Sequence, residues 1–237
     1  MATERLVLEV SGLEAGYGRV QVLWGIDLDV REREVVALVG SNGAGKTTLL
    51  RAISGMINPT GGDVQLDGRS LDRLAPEDVV KAGIAHVPEG RRLFAGLTVR
   101  ENLRVGAYAR KGNADIDRAV ELFPRLGERL NQVAGSMSGG EQQMCAIARG
   151  LMANPKLIMI DELSLGLAPN LAEQILERLA GVTEQGTAVL LVDQDVDAAL
   201  EAAARGYVLE NGRIIASGDS ASLLSDPRVR EAYLGVA

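Results

Sequence analysis

Apolar residues follow two alternating patterns along most of the chain. Near-continuous apolar runs are typical of short strands buried on both faces of a sheet. These runs are residues 35–39, 84–87, 157–160 and 188–192. Apolar residues at helical spacing follow three of the runs, at residues 49–53, 171–179 and 196–203. Strands that alternate with helices predict an α/β fold with a mainly parallel sheet covered on both faces.

Weaker patterns near the two ends of the chain predict further strands. Residues 6–10 and 26–30 are predicted strands, with Gly16-Tyr17-Gly18 as the turn between them. Asn211-Gly212 lies between two short apolar segments and predicts a tight hairpin turn. We interpret this C-terminal hairpin, together with residues 31–34, only as solvated surface.

The middle of the chain has a different character. From residue 91 to about residue 153 the apolar residues recur at helical spacing. Thr98 and Glu101 form a capping-box pattern, which predicts the start of a helix that continues through residues 102–110. Because strand-like runs lie on both sides of this stretch, we predict a helical subdomain inserted into the α/β core.

Length and composition limit the classes of protein that the chain can form. At 237 residues it can bury a full core as one domain. We predict a single domain over residues 1–237, with its core in residues 1–90 and 154–237 and the helical subdomain in about 91–153. The net charge of −7 argues against a nucleic-acid-binding face, which is normally basic.

Cysteine content and hydropathy bear on the compartment. Cys145 is the only cysteine, so an internal disulfide is excluded and a reducing compartment fits. No apolar run approaches the roughly 18 residues of a membrane-spanning helix. Residues 1–10 lack the apolar segment of a signal peptide. We therefore expect any role at a membrane to require a partner.

The segment between the first buried strand and the first helix predicts triphosphate binding. It fits the pattern G-x-x-x-x-G-K-[ST], whose glycines allow backbone N–H groups to surround phosphate oxygens. We call this segment the phosphate loop: Gly40, Ser41, Asn42, Gly43, Ala44, Gly45, Lys46, Thr47 and Thr48. Lys46 is expected to reach the β- and γ-phosphates, and Thr47 to offer a hydroxyl to Mg²⁺. A chance glycine-rich turn is the alternative, which the strand–loop–helix context disfavours.

Two carboxylates end the buried strand at residues 157–160. In open α/β sheets ligands bind at the carboxyl ends of the strands, where the phosphate loop is also expected. Asp161 is therefore predicted to hold Mg²⁺ through water, and Glu162 to polarise the water that attacks the γ-phosphate. The alternative for this pair is the solvated start of a loop.

Ser138, Gly139, Gly140 and Glu141 support two interpretations. Ser138 and Glu141 form a second capping box, so the segment can simply be a well-made helix start. Adjacent glycines are not needed for capping, and they leave backbone N–H groups free to approach an anion at the positive end of the helix. The residues alone leave both interpretations open.

Ser138-Gly139-Gly140-Glu141-Gln142 resembles the signature motif of the ATP-binding-cassette (ABC) ATPases. We call residues 138–142 the signature segment. It lies between the phosphate loop and the Asp-Glu pair, as in that family, and the resemblance spans essentially the whole chain. The resemblance implies a P-loop NTPase core with a mainly parallel sheet, an N-terminal antiparallel β subdomain and an inserted helical subdomain. It also implies a head-to-tail dimer with a second cassette, with ATP held between one phosphate loop and the other signature segment.

The resemblance extends to single residues and shows departures. Tyr17 matches the position that stacks on adenine, although it can also be a core residue beside a turn. Glu89 replaces the family's Gln, and a carboxylate still suits Mg²⁺ or its water. Gln194 takes the place of the switch histidine and Leu163 that of a proline, which implies slow basal turnover and a less firmly aimed Glu162. His86, the only histidine, is interpreted as structural or peripheral.

Three features resemble the F-type ATP-binding subunit of branched-chain amino-acid importers. They are Val-Pro-Glu-Gly-Arg at residues 87–91, residues 164–169 and Gln194. The resemblance implies an ATPase that uses ATP with Mg²⁺ and works with transmembrane permease subunits and, indirectly, a solute-binding protein. It would be cytoplasmic and peripheral on the inner face of the cell membrane, with no nucleic-acid partner. Residues 89–103, including Phe94 and Leu97, would receive a permease helix, unless both side chains are buried in the helical subdomain.

Two other functions stay open on the sequence. A soluble ABC ATPase acting on DNA or ribosomes usually has a coiled-coil insertion or a second cassette, which this chain lacks. A regulatory nucleotide-binding module with little catalysis is consistent with Leu163 and Gln194. The transported solute is not encoded in this chain.

Overall fold

The structure, a computed structural model, describes residues 5–109 and 115–229. The strands are β1 Leu6–Tyr17, β2 Val20–Arg31, β3 Val35–Val39, β4 Gly61–Leu66, β5 Arg69–Ser70, β6 Ile84–Val87, β7 Leu157–Asp161, β8 Ala188–Asp193, β9 Arg205–Glu210 and β10 Arg213–Asp219. The helices are α1 Lys46–Ile53, α2 Pro76–Ala82, α3 Val99–Gly106, α4 Ile116–Leu122, α5 Pro124–Gly127, α6 Gly139–Leu151, α7 Pro169–Glu184, α8 Val196–Glu201, α9 Ser220–Ser225 and α10 Pro227–Val229. A 3-10 turn, Ala134–Ser136, precedes α6.

The strands of the described residues form two sheets. The larger sheet has the order β10-β9-β3-β8-β7-β6, in which all neighbours from β9 to β6 are parallel. Only its edge strand β10 is antiparallel. The smaller sheet, β2-β1-β4-β5, is antiparallel throughout. The predicted α/β fold with a mainly parallel sheet and an N-terminal antiparallel subdomain is confirmed.

Both faces of the parallel sheet are buried, which accounts for its continuous apolar runs. In β3 the side chains of Val35, Ala37 and Val39 pack with the helices of the inserted segment and with α7 and α8. Val36 and Leu38 point the other way, toward α1 and the antiparallel sheet. Each such side chain contributes about 1.5–3 kcal/mol when fully buried. The helix that follows the phosphate loop is therefore held between the two sheets.

Four helices, α3 to α6, separate β6 from β7 in the chain and form the helical subdomain. Both predicted capping boxes are present, at Thr98 for α3 and at Ser138 for α6. Helix α3 begins at Val99, directly after the predicted cap, but it ends at Gly106, short of the predicted extent through residues 102–110; residue 110 itself lies outside the described residues. None of the described helices combines the length and apolar character needed to cross a membrane.

The predicted extent of the first two strands is wrong. The turn lies at Gly18-Arg19, and Tyr17 is the last residue of β1 rather than the centre of a turn. Shifts in the pairing of β1 with β2, among them one between Val10 and Leu13, interrupt the regular alternation of inward and outward residues. Alternation is the pattern that predicts a half-buried strand, so the second half of β1 was missed.

The interpretation of the C-terminal hairpin as solvated surface is also wrong. Strand β9 pairs in parallel with β3, and Tyr207, Val208 and Leu209 are buried. Glu34 is not simply solvated either, because its Oε1 lies 2.8 Å from Arg205 Nη2 at the start of β9. A run of only three apolar residues carries a weak signal, and its burial depends on β3, far away in the sequence.

Candidate active site

The phosphate loop leaves the carboxyl end of β3 and leads directly into α1. Gly43 has a φ of 82° and Gly45 a φ of 113°, conformations that residues with a Cβ rarely adopt. Gly45 is the N-cap residue of α1, and no side chain caps that end of the helix. The N–H groups of the first turn, which have no partner within a helix, are thus available to an anion.

Lys46 places a buried cation inside this loop. Its side chain is only 5% exposed. The ammonium donates hydrogen bonds to the carbonyl oxygens of Gly40, at 2.8 Å, and Ser41, at 3.3 Å. It also lies 3.2 Å from Glu162 Oε1. Phosphate oxygens can replace these three partners, because each of them is an acceptor.

Most predicted site residues line one cavity of about 440 Å³. Those that line it are Ser41, Asn42, Gly43, Gly45, Lys46, Thr47, Thr48, Glu89, Glu162 and Gln194. A larger groove of about 910 Å³ lies between α7 and α8 and contains none of the predicted site residues. The candidate site is therefore identified by the residues that line its cavity and not by the volume of that cavity.

Asp161 lies at the end of β7 and is 1% exposed. Neither carboxylate oxygen accepts a well-formed hydrogen bond from the residues that the structure describes. Burial raises the pKa of this carboxyl to about 6; the nearby Thr47 hydroxyl opposes the shift, and the charges of Glu162 and Glu89 add to it. A buried carboxylate without partners is costly, so its oxygens suit a bound cation.

These residues fit Mg²⁺. Thr47 and Glu89 line the cavity, and the unpartnered Asp161 is close enough for its pKa to respond to both. No three His, Cys, Asp or Glu side chains converge as a complete metal-binding cluster in residues 5–109 and 115–229. Mg²⁺ does not need a complete set of protein ligands, since it takes one or two carboxylates and completes its coordination shell with phosphates and water.

Glu162 has a strained backbone with a φ of 50°. Its N–H donates to the carbonyl of Val192 at 2.8 Å, which ties it to the neighbouring strand β8. Burial raises the pKa of the Glu162 carboxyl; Lys46 opposes this shift, while Asp193 and Glu89 reinforce it. Leu163, the residue that replaces the family's proline, is fully buried and anchors the chain just after Glu162.

The signature segment does not line the cavity of its own chain. Ser138 is exposed and caps α6 by accepting a hydrogen bond from the N–H of Glu141. The Glu141 carboxylate accepts from the N–H of Ser138, at 3.0 Å, and pairs with Arg129 at 2.8 Å. Although burial opposes it, these bonds hold the pKa of Glu141 below its usual value. Glu141 thus fixes Ser138.

The two glycines of the signature segment have different surroundings. A Cβ on Gly140 would lie 2.0 Å from Leu171 Cδ2 of α7, so any larger residue there would force the Leu171 side chain to move. A Cβ on Gly139 would meet only the guanidinium of Arg91, at 3.1 Å. Sequence reasoning did not separate these two positions. Of the two, Gly139 has the less obstructed backbone at the start of α6.

The segment that contains Glu89 links the cavity to the signature segment. Arg91 Nη1 donates to Gln142 Oε1 at 3.4 Å. The guanidinium of Arg149, in α6, donates to the carbonyls of Arg92 and Arg91 and lies over the ring of Phe94, 5.8 Å from its centre. The sequence analysis assigned no contact to Arg91 or Arg149, because their partners lie about 50 residues away in the chain.

Tyr17 lies at the edge of the loop with 43% of its surface exposed. Its hydroxyl accepts a hydrogen bond from Arg51 Nη1 at 3.0 Å and lies 3.5 Å from Thr48 Oγ1. A buried core role for Tyr17 is therefore wrong. The ring stands beside the phosphate loop with exposed surface available to a base.

We expect Tyr17→Ala to weaken ATP binding roughly tenfold, since base–aromatic stacking contributes about 1–3 kcal/mol. Tyr17→Phe keeps the ring and removes only the hydroxyl bonds, so its affinity should stay within about twofold. Calorimetric titration with ATP measures both. Equal affinity for Tyr17→Ala and the unaltered chain would exclude stacking on this ring.

His86 lies outside the cavity. Its Nδ1 is 3.3 Å from the hydroxyl of Ser54, and its Nε2 has no partner among the described residues. Burial, aided by the charge of Arg51, lowers its pKa to about 4. The histidine is therefore neutral near pH 7 and has a structural environment, as expected.

The family of the chain follows from comparison with known proteins. A family model described as ABC transporter matches residues 23–164, more than half of the chain. The chain belongs to the ABC transporter family. A second model, described as branched-chain amino acid ATP-binding cassette transporter, matches residues 213–237 of the cassette.

Relatives of the cassette carry consistent descriptions. It is 47% identical over 222 residues to the high-affinity branched-chain amino acid transport ATP-binding protein BraG of Pseudomonas aeruginosa, covering 92% of this chain and 95% of BraG. It is 36% identical over 234 residues to the probable branched-chain amino acid transport ATP-binding protein LivF of Archaeoglobus fulgidus, covering 97% and 99%. The predicted resemblance to this group of ATP-binding proteins is confirmed.

A solved structure matches the fold. The dimeric ATP-binding cassette MJ0796, in a post-hydrolysis state with ADP and Pi, has a TM-score of 0.78 and 26% identity, covering 90% of this chain and 98% of the other. The cassette is an ATP-binding ATPase of a transport family, and cassettes of this family dimerise.

Proposed function

We propose that this cassette is the ATP-hydrolysing subunit of an importer for branched-chain or related amino acids. The observation that carries the proposal is the division of the site. Lys46, Glu162 and Gln194 line one cavity, whereas Ser138 lies outside it. One chain therefore presents two different halves of an ATP site. The similarity of residues 213–237 to branched-chain amino acid cassettes, and of the whole chain to BraG and LivF, supports the solute class.

ATP binding uses the phosphate loop. Lys46 exchanges the carbonyls of Gly40 and Ser41 for β- and γ-phosphate oxygens, and the N–H groups at the start of α1 donate to the same phosphates. Tyr17 stacks on adenine. Bound Mg²⁺ neutralises charge on the phosphates, and the Thr47 hydroxyl with the Glu89 and Asp161 carboxylates would hold it.

Hydrolysis requires a base and a group that faces the transferred phosphate. Glu162 is the base, and its raised pKa brings the carboxylate nearer to the value that favours proton transfer. Gln194 lines the cavity and can donate to the γ-phosphate or orient water. Because an amide carries no positive charge, it stabilises phosphate less than a protonated histidine does, and basal turnover is slow.

A second cassette completes the site. Its Ser138, Gly139 and Gly140 approach the γ-phosphate from the far side, with the positive end of α6 directed at the anion. Glu141 acts indirectly by fixing Ser138. ATP thus closes the dimer and hydrolysis reopens it. The second cassette is either an identical copy or a paralogue.

Closure and reopening of the dimer drive movement of the solute through the permease subunits. Binding to these subunits places the cassette on the cytoplasmic, inner face of the cell membrane. A solute-binding protein acts on the far side. The proposed docking surface is the segment of residues 89–103, with Phe94 and Leu97 among its apolar side chains; Phe94 is exposed and Leu97 is half-buried. Phe94 is 50% exposed, and its backbone is fixed to α3 by two hydrogen bonds with the Asn102 side chain. Arg149 connects the same ring to α6, the helix that presents the signature segment.

The test is ATP-driven uptake of radiolabelled leucine by vesicles that contain the cassette assembled with co-expressed permease subunits. Phe94→Asp should reduce permease capture roughly 30-fold, since an aromatic anchor contributes about 2 kcal/mol or more. Uptake should fall with it. ATP affinity of the variant should stay unchanged, because Phe94 lies outside the cavity.

Ile215→Asp is the matched control, since Ile215 is similarly exposed but lies on β10. It should leave both capture and uptake intact. Normal capture by Phe94→Asp would exclude this docking surface. Recovery of nucleic acid with the cassette, instead of membrane subunits, would favour the alternative of a soluble ABC ATPase.

A further inference from the structure

The side chain of Asp193, the last residue of β8, joins the segments that follow β7 and β8. The parallel pairing runs as far as Asp161 and Val192, and the N–H of Glu162 adds one more backbone bond to Val192. Beyond these residues, the link between the two segments is made by the Asp193 carboxylate. It connects the loop that follows Glu162 to the loop that begins with Gln194.

Asp193 accepts four hydrogen bonds. Oδ2 accepts from the N–H of Ser164 at 3.0 Å, and Oδ1 accepts from the Ser164 hydroxyl at 2.8 Å. Oδ1 also accepts from the N–H groups of Gln194, at 2.8 Å, and Asp195, at 3.2 Å. Ser164 is therefore held through both of its donors, and Gln194 through its backbone.

The cost of burying this group argues for a specific role. Asp193 is 3% exposed and forms no ion pair with any residue that the structure describes. A buried carboxylate without a cation costs several kcal/mol unless hydrogen bonds compensate. Closing the turn at Gln194 needs only one acceptor. The two further hydrogen bonds, from Ser164, explain why this position has a carboxylate with two acceptor oxygens.

The bonds to Ser164 act on Glu162, two residues earlier. Glu162 has a φ of 50°, a conformation that persists only where its surroundings determine it firmly. The hydrogen bond from its N–H to Val192 fixes the backbone on the N-terminal side of Glu162. The Ser164–Asp193 hydrogen bonds fix the chain on its C-terminal side. Loss of these bonds would release the strain and let the Glu162 side chain move.

We propose that Asp193 is a positioning residue for ATP hydrolysis, which holds Glu162 and Gln194 in one arrangement by binding Ser164 and the Gln194 backbone together. The proposal rests on the roles proposed above for Glu162 and Gln194. Under the simpler alternative, Asp193 only closes its own turn through Gln194 and Asp195. Ser164 distinguishes the two, because it takes no part in that turn.

The experiment is a double-mutant cycle of Asp193→Asn and Ser164→Ala, measured as steady-state hydrolysis of Mg–ATP by the full-length chain. Each single change should lower kcat roughly tenfold, because a hydrogen bond to a charged group contributes about 1.5 kcal/mol. KM should stay within about twofold, since neither residue contacts the phosphate loop. The double variant should be no slower than Asp193→Asn, because both changes break the same link.

Ser164→Thr keeps a hydroxyl and should recover most of the rate lost in Ser164→Ala. Ser54→Ala is the matched control: it removes a buried hydroxyl bond, 2.6 Å long to the Leu50 carbonyl, and should lower thermal stability without changing kcat. If Asp193→Asn fails to fold, the three serine variants still decide the question.

An unchanged kcat in Ser164→Ala, or losses that multiply in the double variant, would overturn the proposal and leave Asp193 as a turn residue. Failure of the proposed function has a different outcome. In that case Glu162→Gln and Gln194→Ala would also hydrolyse ATP at the normal rate, whatever Ser164→Ala does.

Discussion

Glu162→Gln is expected to lower ATP hydrolysis by roughly 10²-fold or more, the typical contribution of a positioned general base. The amide has the shape of the carboxylate and still offers an oxygen to Lys46, but it cannot take a proton from water. ATP binding is therefore kept while turnover is lost, and the ATP-bound dimer should accumulate. Phosphate release in the assembled complex and light scattering with Mg–ATP measure the two effects.

Glu173→Gln serves as the control, since Glu173 is exposed on α7 and lies outside the cavity. Its turnover should match the unaltered chain. Normal turnover in Glu162→Gln would instead show that Glu162 is not the base and would favour the regulatory module. Failure of this variant to dimerise with ATP, with permease subunits present, would contradict the shared site.

Lys46→Ala is expected to weaken ATP binding roughly 100-fold, equivalent to about 3 kcal/mol for a charge-assisted contact with phosphate. The ammonium is buried and already surrounded by acceptors, so nothing else among the described loop residues supplies a cation in its place. The change also leaves Glu162, only 9% exposed, beside no cation. We therefore expect reduced stability of the folded chain as well.

Nucleotide titration measures the affinity, and thermal unfolding without nucleotide measures the stability separately. Lys81→Ala is the control, because Lys81 is exposed on α2 and forms its ion pair with Asp78, outside the cavity. It should leave both quantities close to those of the unaltered chain. Folded Lys46→Ala that binds ATP normally would rule out the proposed contact with the phosphates.

Local chemistry explains which parts of the site could be predicted from the sequence. Gly43 and Gly45 permit a backbone that other residues disfavour, so their spacing before Lys46 specifies the phosphate loop within nine residues. Asp161 and Glu162 follow a buried strand, and all parallel strands end on the same edge of a sheet. Neither argument needs a contact between distant segments.

The missed features all involve partners far apart in the chain. Asp193 directly follows the buried run at residues 188–192, and the rule that drew attention to Asp161 applies there too. Its link to Ser164 nevertheless depends on the adjacency of β7 and β8, which the sequence order does not reveal. The same reason explains why Gly140 was assigned to anion binding alone, although its packing against Leu171 of α7 also favours a residue without a side chain.

By itself, the sequence determined the class of fold, the phosphate loop, the acidic strand end and the two capped helices. Each of these depends on the conformational preference or periodicity of residues a few positions apart. Only the tertiary structure decided that β9 is buried beside β3, that Ser138 stands outside the cavity of its own chain, and that Asp193 joins the loops that follow β7 and β8. Each of those features depends on contacts between segments that are far apart in the chain. Such contacts produce no repeating pattern of residues in the sequence, so they cannot be predicted from periodicity.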